Sequence, residues 1–161
     1  LAQLERGMVG YARIIARQLG VDVASIPGAG AAGGMGAAAA AFLSARLVSG
    51  IDCLMDLAHF DELLAECDYC ISGEGRADAQ SLDGKVLSGV ARRCAAAGKP
   101  LIIIAGSLGE GAEGLLDRGA SKLVACVGPE TPIEEALAYA EENYRRAAAS
   151  VFAEIAEVCS R

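Results

Sequence analysis

An unbroken apolar run, KPLIIIAGS at residues 99–107, constrains the fold of this chain more than any other feature. A strand with one face in water alternates apolar and polar residues, whereas every position from Leu101 to Ala105 is apolar. Such a run is typical of a strand buried on both faces, as in parallel sheets that helices cover on either side. The run therefore predicts an α/β fold.

Strand and helix patterns alternate around this run. Strand candidates at 68–73 and 121–128 are separated from it by helical segments at 84–98 and 110–119. Alternation of this kind produces β-α-β units, whose crossovers are nearly always right-handed. We therefore predict a Rossmann-like three-layer α/β/α domain with a mostly parallel sheet.

The flanking segments are mainly helical. A helix-period pattern runs from the first residue to Gly20, a common C-terminal stop. Residues 50–58 predict a short strand, and residues 60–67 predict a short helix. In the last helix, Thr131 is the expected N-cap. The apolar stripe expected to face the core from this helix comprises Ile133, Leu137, Ala140, Tyr144, Val151, Ile155 and Val158.

We expect parts of two domains. Residues 1–60 are predicted to be a partial segment of a second α/β domain, with a glycine-rich loop and helices, and residues 61–161 the Rossmann-like domain. The chain begins with Leu1, not Met, inside a helical pattern. We therefore expect it to be a fragment of a longer protein.

Composition disfavours several classes of partner. A formal charge of −7 without a basic patch argues against nucleic acid. No apolar run reaches the roughly 18–20 residues that a membrane span requires, and no signal-peptide pattern is present. The six cysteines lie mostly in apolar stretches, so we expect them to pack in the core of a protein from the reducing cytoplasm. Homo-oligomer formation stays open.

GAGAAG at 28–33 matches the dinucleotide-binding fingerprint, but its context does not. The fingerprint needs a buried strand directly before it, and VDVASIP at 21–27 is a weak strand candidate. A phosphate-binding P-loop also fails, because Val86 follows Gly84 and Lys85 where Ser or Thr is required. Two interpretations stay open: backbone N–H groups that bind an anion at a helix start, or glycines that let a helix pack closely.

The connector ISGEGRADAQSLDGK, residues 71–85, concentrates charged side chains after a predicted strand. Carboxylates such as Glu74 and Asp78 can hold Mg²⁺ or accept a proton from a hydroxyl. Arg76 can bind a carboxylate or phosphate through two parallel hydrogen bonds, and Lys85 at a helix start suits an anion. A solvated loop with incidental charges is the alternative.

A second loop, AGSLGE at 105–110, follows the central apolar strand. Ligands of parallel sheets bind beyond the carboxyl ends of the strands. If the two strands are neighbours, this loop and the charged connector at 71–85 therefore face one crevice.

Three segments, PGAGAAGGMGAA, SGEGRADAQSLDGK and IIIAGSL, occur in the order and at roughly the spacing of one family. Over nearly its whole length the chain resembles the bacterial glycerate kinases that are unlike other sugar kinases. The resemblance implies transfer of the γ-phosphoryl group of ATP to a hydroxyl of D-glycerate, with Mg²⁺. It also implies that this chain is the C-terminal portion of a two-domain protein and has little activity alone. One position departs from the family pattern GK-x-P, since Leu87 stands in place of Pro.

The resemblance implies roles for individual residues. Glu74 and Asp78 would position the metal or the attacking hydroxyl, with Asp78 favoured as the base. Arg76 would bind the glycerate carboxylate or the transferred phosphate. The glycines expected to bind an anion are Gly28, Gly30, Gly33 and Gly34. The assisting polar residues are Gln80, Ser81, Lys85 and, from the neighbouring strand end, Ser107.

Two other functions stay open. A non-catalytic α/β module that binds a small anion or a nucleotide would be stabilised by its ligand without forming ADP. A nicotinamide-dependent enzyme would need a strand at 21–27, before the glycine loop.

Overall fold

A computed structural model describes residues 2–82 and 86–160 of the chain, which separates into two compact units. The first unit ends at Ser49 and the second begins at Gly50, earlier than the boundary after residue 60 that the sequence suggests. Each unit has a hydrophobic core of its own.

The first unit is helical over its described residues, 2–49. Helix α1 spans Ala2–Leu19 and ends at Gly20, whose φ of +71° is typical of a helix stop. A 3-10 turn at Val23–Ser25 follows, and helix α2 spans Ala31–Leu43. The turn stands where a dinucleotide fingerprint requires a strand, so the nicotinamide alternative loses its support. The small core of this unit contains Ile15, Val23, Ala29 and Ala37.

The second unit contains a parallel sheet in the order β1-β2-β3. The strands are β1, Cys70–Ala77; β2, Leu101–Leu108; and β3, Lys122–Ala125. In the register, Arg76 lies beside Ser107, and Ile103 lies beside Leu123. The predicted α/β fold with a parallel sheet is confirmed.

Helices surround and connect these strands. They are α3, Gly50–Leu57; α4, Phe60–Ala65; α5, Val86–Ala96; α6, Gly114–Asp117; α7, Ile133–Ala138; and α8, Ala140–Cys159. Within the described ranges, none of the chain's helices combines the length and apolar character needed to cross a bilayer.

Strand β2 is covered on both faces, as its sequence predicts. Leu101, Ile103 and Ala105 belong to a core with α5, whereas Ile102 and Ile104 pack with Ala147 and Val151 of α8. Successive side chains of a strand point to opposite faces, so the apolar run supplies both cores at once. These two cores produce the helix–sheet–helix layering of the second unit.

The strand predicted at 50–58 is wrong, because this segment forms α3. Ile51 and Met55, four residues apart, share one helix face and pack into the α5 core. Gly89 of α5 makes room for this contact, since a Cβ there would lie 2.9 Å from Cγ2 of Ile51. A short apolar segment fits a strand or a buried helix equally well, and packing against α5 decided the outcome.

The predicted last helix is two helices. Tyr139, with φ −114° and ψ 25°, separates α7 from α8, and Pro132 rather than Thr131 is the N-cap of α7. The expected apolar stripe does not face the core as one surface, since Val151 of α8 is buried whereas no residue of α7 is. Ile133, Leu137 and Tyr144 are 70%, 68% and 54% exposed.

Candidate functional site

The carboxyl ends of β1 and β2 lie side by side and open into a cavity of about 740 Å³. Glu74 and Arg76 of β1 and Ser107 of β2 line this cavity together. The strand order places the charged connector and the loop after β2 at one edge of the sheet, where parallel sheets bind ligands. We expected the two loops to share a crevice if β1 and β2 were neighbours. The strands are neighbours, and the crevice is present.

Ser81 links two residues of the charged connector through hydrogen bonds. Its hydroxyl donates to Oε2 of Glu74 at 3.2 Å and accepts from the backbone N–H of Asp78 at 3.3 Å. The residue is 1% exposed, in a short 3-10 turn at Ala79–Leu82. A buried hydroxyl is costly unless it is hydrogen-bonded, and these two bonds satisfy it while linking the Glu74 carboxylate to the backbone of Asp78.

Asp78 is engaged on both carboxylate oxygens. Its Oδ1 accepts from the backbone N–H of Gln80 at 2.9 Å, and its Oδ2 lies 3.4 Å from Nε of Arg76. The Arg76 side chain is two-thirds exposed, at 67%, so its guanidinium stays accessible to a ligand. Glu74 lines the cavity directly, whereas Asp78 is linked to it through Arg76. The two candidate carboxylates, of which Asp78 is favoured as the base by the resemblance, thus have different surroundings.

Two glycines of the second loop allow it to lie against the connector. A Cβ at Gly109 would lie 2.9 Å from Nη2 of Arg76, and a Cβ at Gly111 would lie 2.8 Å from the Cβ of Ala79. The backbone of the two loops is joined by hydrogen bonds from Gly109 to Ala77 and from Ala79 to Glu110. A role for these two glycines was not predicted, although two glycines directly after an apolar strand indicate a closely packed loop.

The wall of the cavity opposite the connector comes from the β3–α7 loop and the two helices after it. Its side chains include Thr131, Ile133, Leu137, Asn143 and Tyr144. Sequence reasoning assigned three of these residues to the core, because helical periodicity identifies an apolar face without revealing what that face contacts. Their exposure in the structure places them at the cavity instead.

The glycine loop belongs to the first unit. Gly33 and Gly34 have φ values of +70° and +90°, a region that glycine adopts at little cost. A Cβ at Gly34 would lie 3.1 Å from Cε of Met8, and one at Gly36 would lie 2.8 Å from the carbonyl oxygen of Gly28. Close packing therefore accounts for Gly34 and Gly36. Anion binding at Gly28, Gly30, Gly33 and Gly34 stays a prediction.

Gln80 is exposed at the end of the connector, and Lys85 lies outside the described residues. For a metal, no three His, Cys, Asp or Glu side chains converge anywhere in residues 2–82 and 86–160. Mg²⁺ at phosphate-transfer sites usually takes one or two carboxylates and completes its coordination with water and phosphate oxygens. The carboxylates of Glu74 and Asp78 match that limited donor set in kind and number.

The hydrogen-bonded thiols of Cys70 and Cys94 are not activated. Burial raises the pKa of the Cys94 thiol to about 12, and burial also raises the pKa of Cys70, its hydrogen-bond partner. A thiol with a raised pKa is a poor nucleophile. The expectation of core packing holds for Cys94 but fails for Cys53, Cys67 and Cys159, which are exposed.

Comparison with known proteins gives one consistent result. The model of the glycerate kinase family matches residues 1–156. The glycerate kinase of Halalkalibacterium halodurans is 39% identical over 151 residues, and the glycerate 2-kinase of Escherichia coli K12 is 39% identical over 156 residues. These matches cover 94% and 97% of this chain, and 40% and 41% of the relatives.

A solved structure agrees with these relatives. A crystal structure from Salmonella typhimurium LT2, of a protein that carries the name glycerate kinase 2, is 40% identical and superposes with a TM-score of 0.70. The match covers 95% of this chain and 39% of that one. The chain thus spans about 40% of the length of the relatives it matches.

Proposed function

This chain belongs to the glycerate kinase family, and from that premise we propose that the complete gene product transfers the γ-phosphoryl group of ATP to a hydroxyl of D-glycerate. The observation that carries the proposal is the meeting of Glu74, Arg76 and Ser107 on one cavity at the carboxyl edge of the sheet. Phosphoryl transfer depends mainly on positioning and on neutralising charge, and this edge combines a cation, carboxylates and a hydroxyl.

Arg76 is the group we assign to anion recognition. Its guanidinium can form two parallel hydrogen bonds with the glycerate carboxylate or with the transferred phosphoryl group. The ion pair with Asp78 holds the Nε side of the guanidinium, so that Asp78 positions Arg76 for the ligand. Ser107, next to Arg76 in the register, supplies a hydroxyl that can donate to the same anion.

A carboxylate of the connector serves as the base. As the glycerate oxygen forms its bond to the γ-phosphorus, its proton passes to the carboxylate, and the bond to the bridging oxygen breaks to release ADP. Asp78 and Glu74 both stay in the proposal. The preference for Asp78 comes from the sequence, whereas the contacts favour Glu74, which lines the cavity and is oriented by Ser81.

Mg²⁺ would be held by Glu74, with Asp78 as the second carboxylate, and when bound it would neutralise charge on the phosphate oxygens. Further binding groups are proposed at Gln80 and Lys85 and on the glycine loop. The glycines of that loop are Gly28, Gly30, Gly33 and Gly34. We also propose that the glycine-loop segment, predicted as residues 1–60 and forming a unit of its own up to Ser49, belongs to a second domain. The enzyme is further proposed to work in the cytoplasm, which suits its six free cysteines.

The test is ATP-dependent and D-glycerate-dependent ADP release by the complete gene product. Replacing Arg76 by Ala should lower kcat/KM by about 10²–10³, the loss typical of one missing charge-stabilising donor. Glu74→Gln and Asp78→Asn should separate the base, whose loss costs about 10²–10⁴, from the positioning carboxylate. Arg145→Ala is the control, because Arg145 pairs with Glu141 on an exposed helix face.

The outcomes distinguish the candidate functions. ADP release that is equal in the parent protein and in the Arg76, Glu74 and Asp78 variants would contradict the assigned site. Saturable stabilisation by glycerate or ADP, with no phosphorylated product, would identify a non-catalytic binding module instead.

A further inference from the structure

The cavity at the end of the sheet has two chemically different halves. The half beside β1 and β2 carries Glu74, Arg76, Ser107 and Glu110. The half beside α7 and α8 is mainly apolar, with Ile133, Ala136, Leu137, Ala140 and Tyr144. One cavity of about 740 Å³ thus joins a polar end to an apolar end, within the size range of small-molecule sites.

Glycerate, a small molecule that consists of a carboxylate and hydroxyls on three carbons, has no apolar group to contact the apolar half. ATP has such a group, because its purine base is flat and largely apolar. We propose that the adenine base of ATP binds in the apolar half of this cavity, against Leu137 and Tyr144. This inference rests on the proposed function, which brings ATP to the polar half.

The positions of the two halves suit one extended nucleotide. Strands β1 and β3 are separated by two strand spacings, about 10 Å, with the end of β2 between them. The polar half lies beyond β1 and the apolar half beyond β3 and its following helices. The lining residues at the ends of β2 and β3 include Gly106, Gly109 and Gly128, which add no side chains to the cavity.

Asn143 adds a directional contact to the apolar half. Nη2 of Arg146 donates to Oδ1 of Asn143 at 2.8 Å and also to the carbonyl oxygen of Cys126 at 3.4 Å. The Oδ1 atom thus accepts from Arg146, and the side-chain amide of Asn143, which lines the cavity, also carries N–H donors. An adenine ring nitrogen is an acceptor for such a donor.

The experiment measures ADP binding to the complete gene product by titration calorimetry, with pyrophosphate as the probe that lacks a base. Tyr144→Ala should weaken ADP binding by about 5–150-fold, the range for loss of one base–aromatic contact. Pyrophosphate binding and the KM for glycerate should stay within about twofold. Leu137→Ala, the second variant, should weaken ADP binding in the same selective way.

The matched control is Phe152→Ala. Phe152 is an aromatic residue of the same helix, α8, with a similar exposure of 57%, but it does not line the cavity. Its replacement should leave ADP affinity unchanged. Circular dichroism at the assay temperature shows whether each variant is folded before its affinity is compared.

The results separate this inference from the proposed function. If the parent protein phosphorylates glycerate, and the Tyr144 and Leu137 variants bind ADP as Phe152→Ala does, the base site is wrong and the kinase stands. Equal weakening of ADP and pyrophosphate would also overturn the base site. If the parent protein neither binds ADP nor forms phosphoglycerate, the proposed function and the base site both fail.

Discussion

The two helical layers of the second unit differ in how far their apolar residues are buried. Helix α5 buries Leu87, Val90, Ala91 and Cys94 against the sheet. The α7–α8 layer buries Ala147 and Val151, while Ile133, Leu137 and Tyr144 stay exposed at the cavity. The α5 face is complete within this unit, whereas the α7–α8 face leaves apolar surface available to a ligand. Apolar residues on the first face therefore serve stability, and we propose that the exposed ones on the second serve binding.

The largest expected effect compares an isoleucine from each region. Ile103 is fully buried between β2 and α5, so Ile103→Ala should lower the free energy of unfolding by about 2–5 kcal/mol. Ile133→Ala, at the exposed cavity wall, should change it by at most about 0.5 kcal/mol. Urea denaturation followed by circular dichroism measures both values. Similar losses in the two variants would show that the cavity wall is core after all.

A smaller effect is expected on the floor of the cavity. A Cβ at Gly106 would lie 2.4 Å from the carbonyl oxygen of Gly75, in backbone that cannot move aside easily. Gly106→Ala should therefore cost about 1–3 kcal/mol of stability. Gly75→Ala is the matched control, because no atom lies within 4 Å of its added Cβ. Thermal unfolding should show a loss of stability for Gly106→Ala alone. Equal losses in both variants would show that close packing against Gly75 is not the cause.

The smallest expected effect is on the pH dependence of stability. Burial raises the pKa of Cys94 to about 12 from an ordinary value of 9.0, so the folded state retains its proton longer than the unfolded state. This contribution is complete below about pH 9 and is lost as the pH rises toward 12. On the other face, burial raises the pKa of Cys126 while the charge of Arg146 opposes the shift.

Replacing each cysteine separately tests this difference between the faces. Unfolding free energies at pH 7 to 10 should decline less steeply for Cys94→Ala than for the parent protein. Cys126→Ala should alter the slope less. An unchanged slope in Cys94→Ala would remove the thiol as its cause.

Much of the fold could be predicted because its signals are local. The apolar run in β2 indicated burial on both faces, and the alternation of strands and helices indicated a parallel sheet. The segment at 50–58 shows the limit of local signals. Its apolar residues fit a strand as well as a helix, and the packing of Ile51 and Met55 with α5 decides for the helix. The break at Tyr139 was also missed, because its neighbours on both sides favour a helix.

The candidate site was partly predictable. The connector residues Glu74, Arg76 and Asp78 stand out as charges after a buried strand, and their meeting with Ser107 needed only the right strand order. The role of Ser81 as a buried link, and the presence of Tyr144 at the cavity, were not accessible in this way. Both depend on contacts between residues that are distant in the sequence or lie on different elements.

By itself the sequence determined the α/β class, the buried central strand, the charged loop and the resemblance to the glycerate kinases, because each is carried by neighbouring residues in the chain. The tertiary structure alone decided which apolar residues become core and which line a cavity. The physical reason is that periodicity marks a face of a helix, but burial depends on whether another element covers that face.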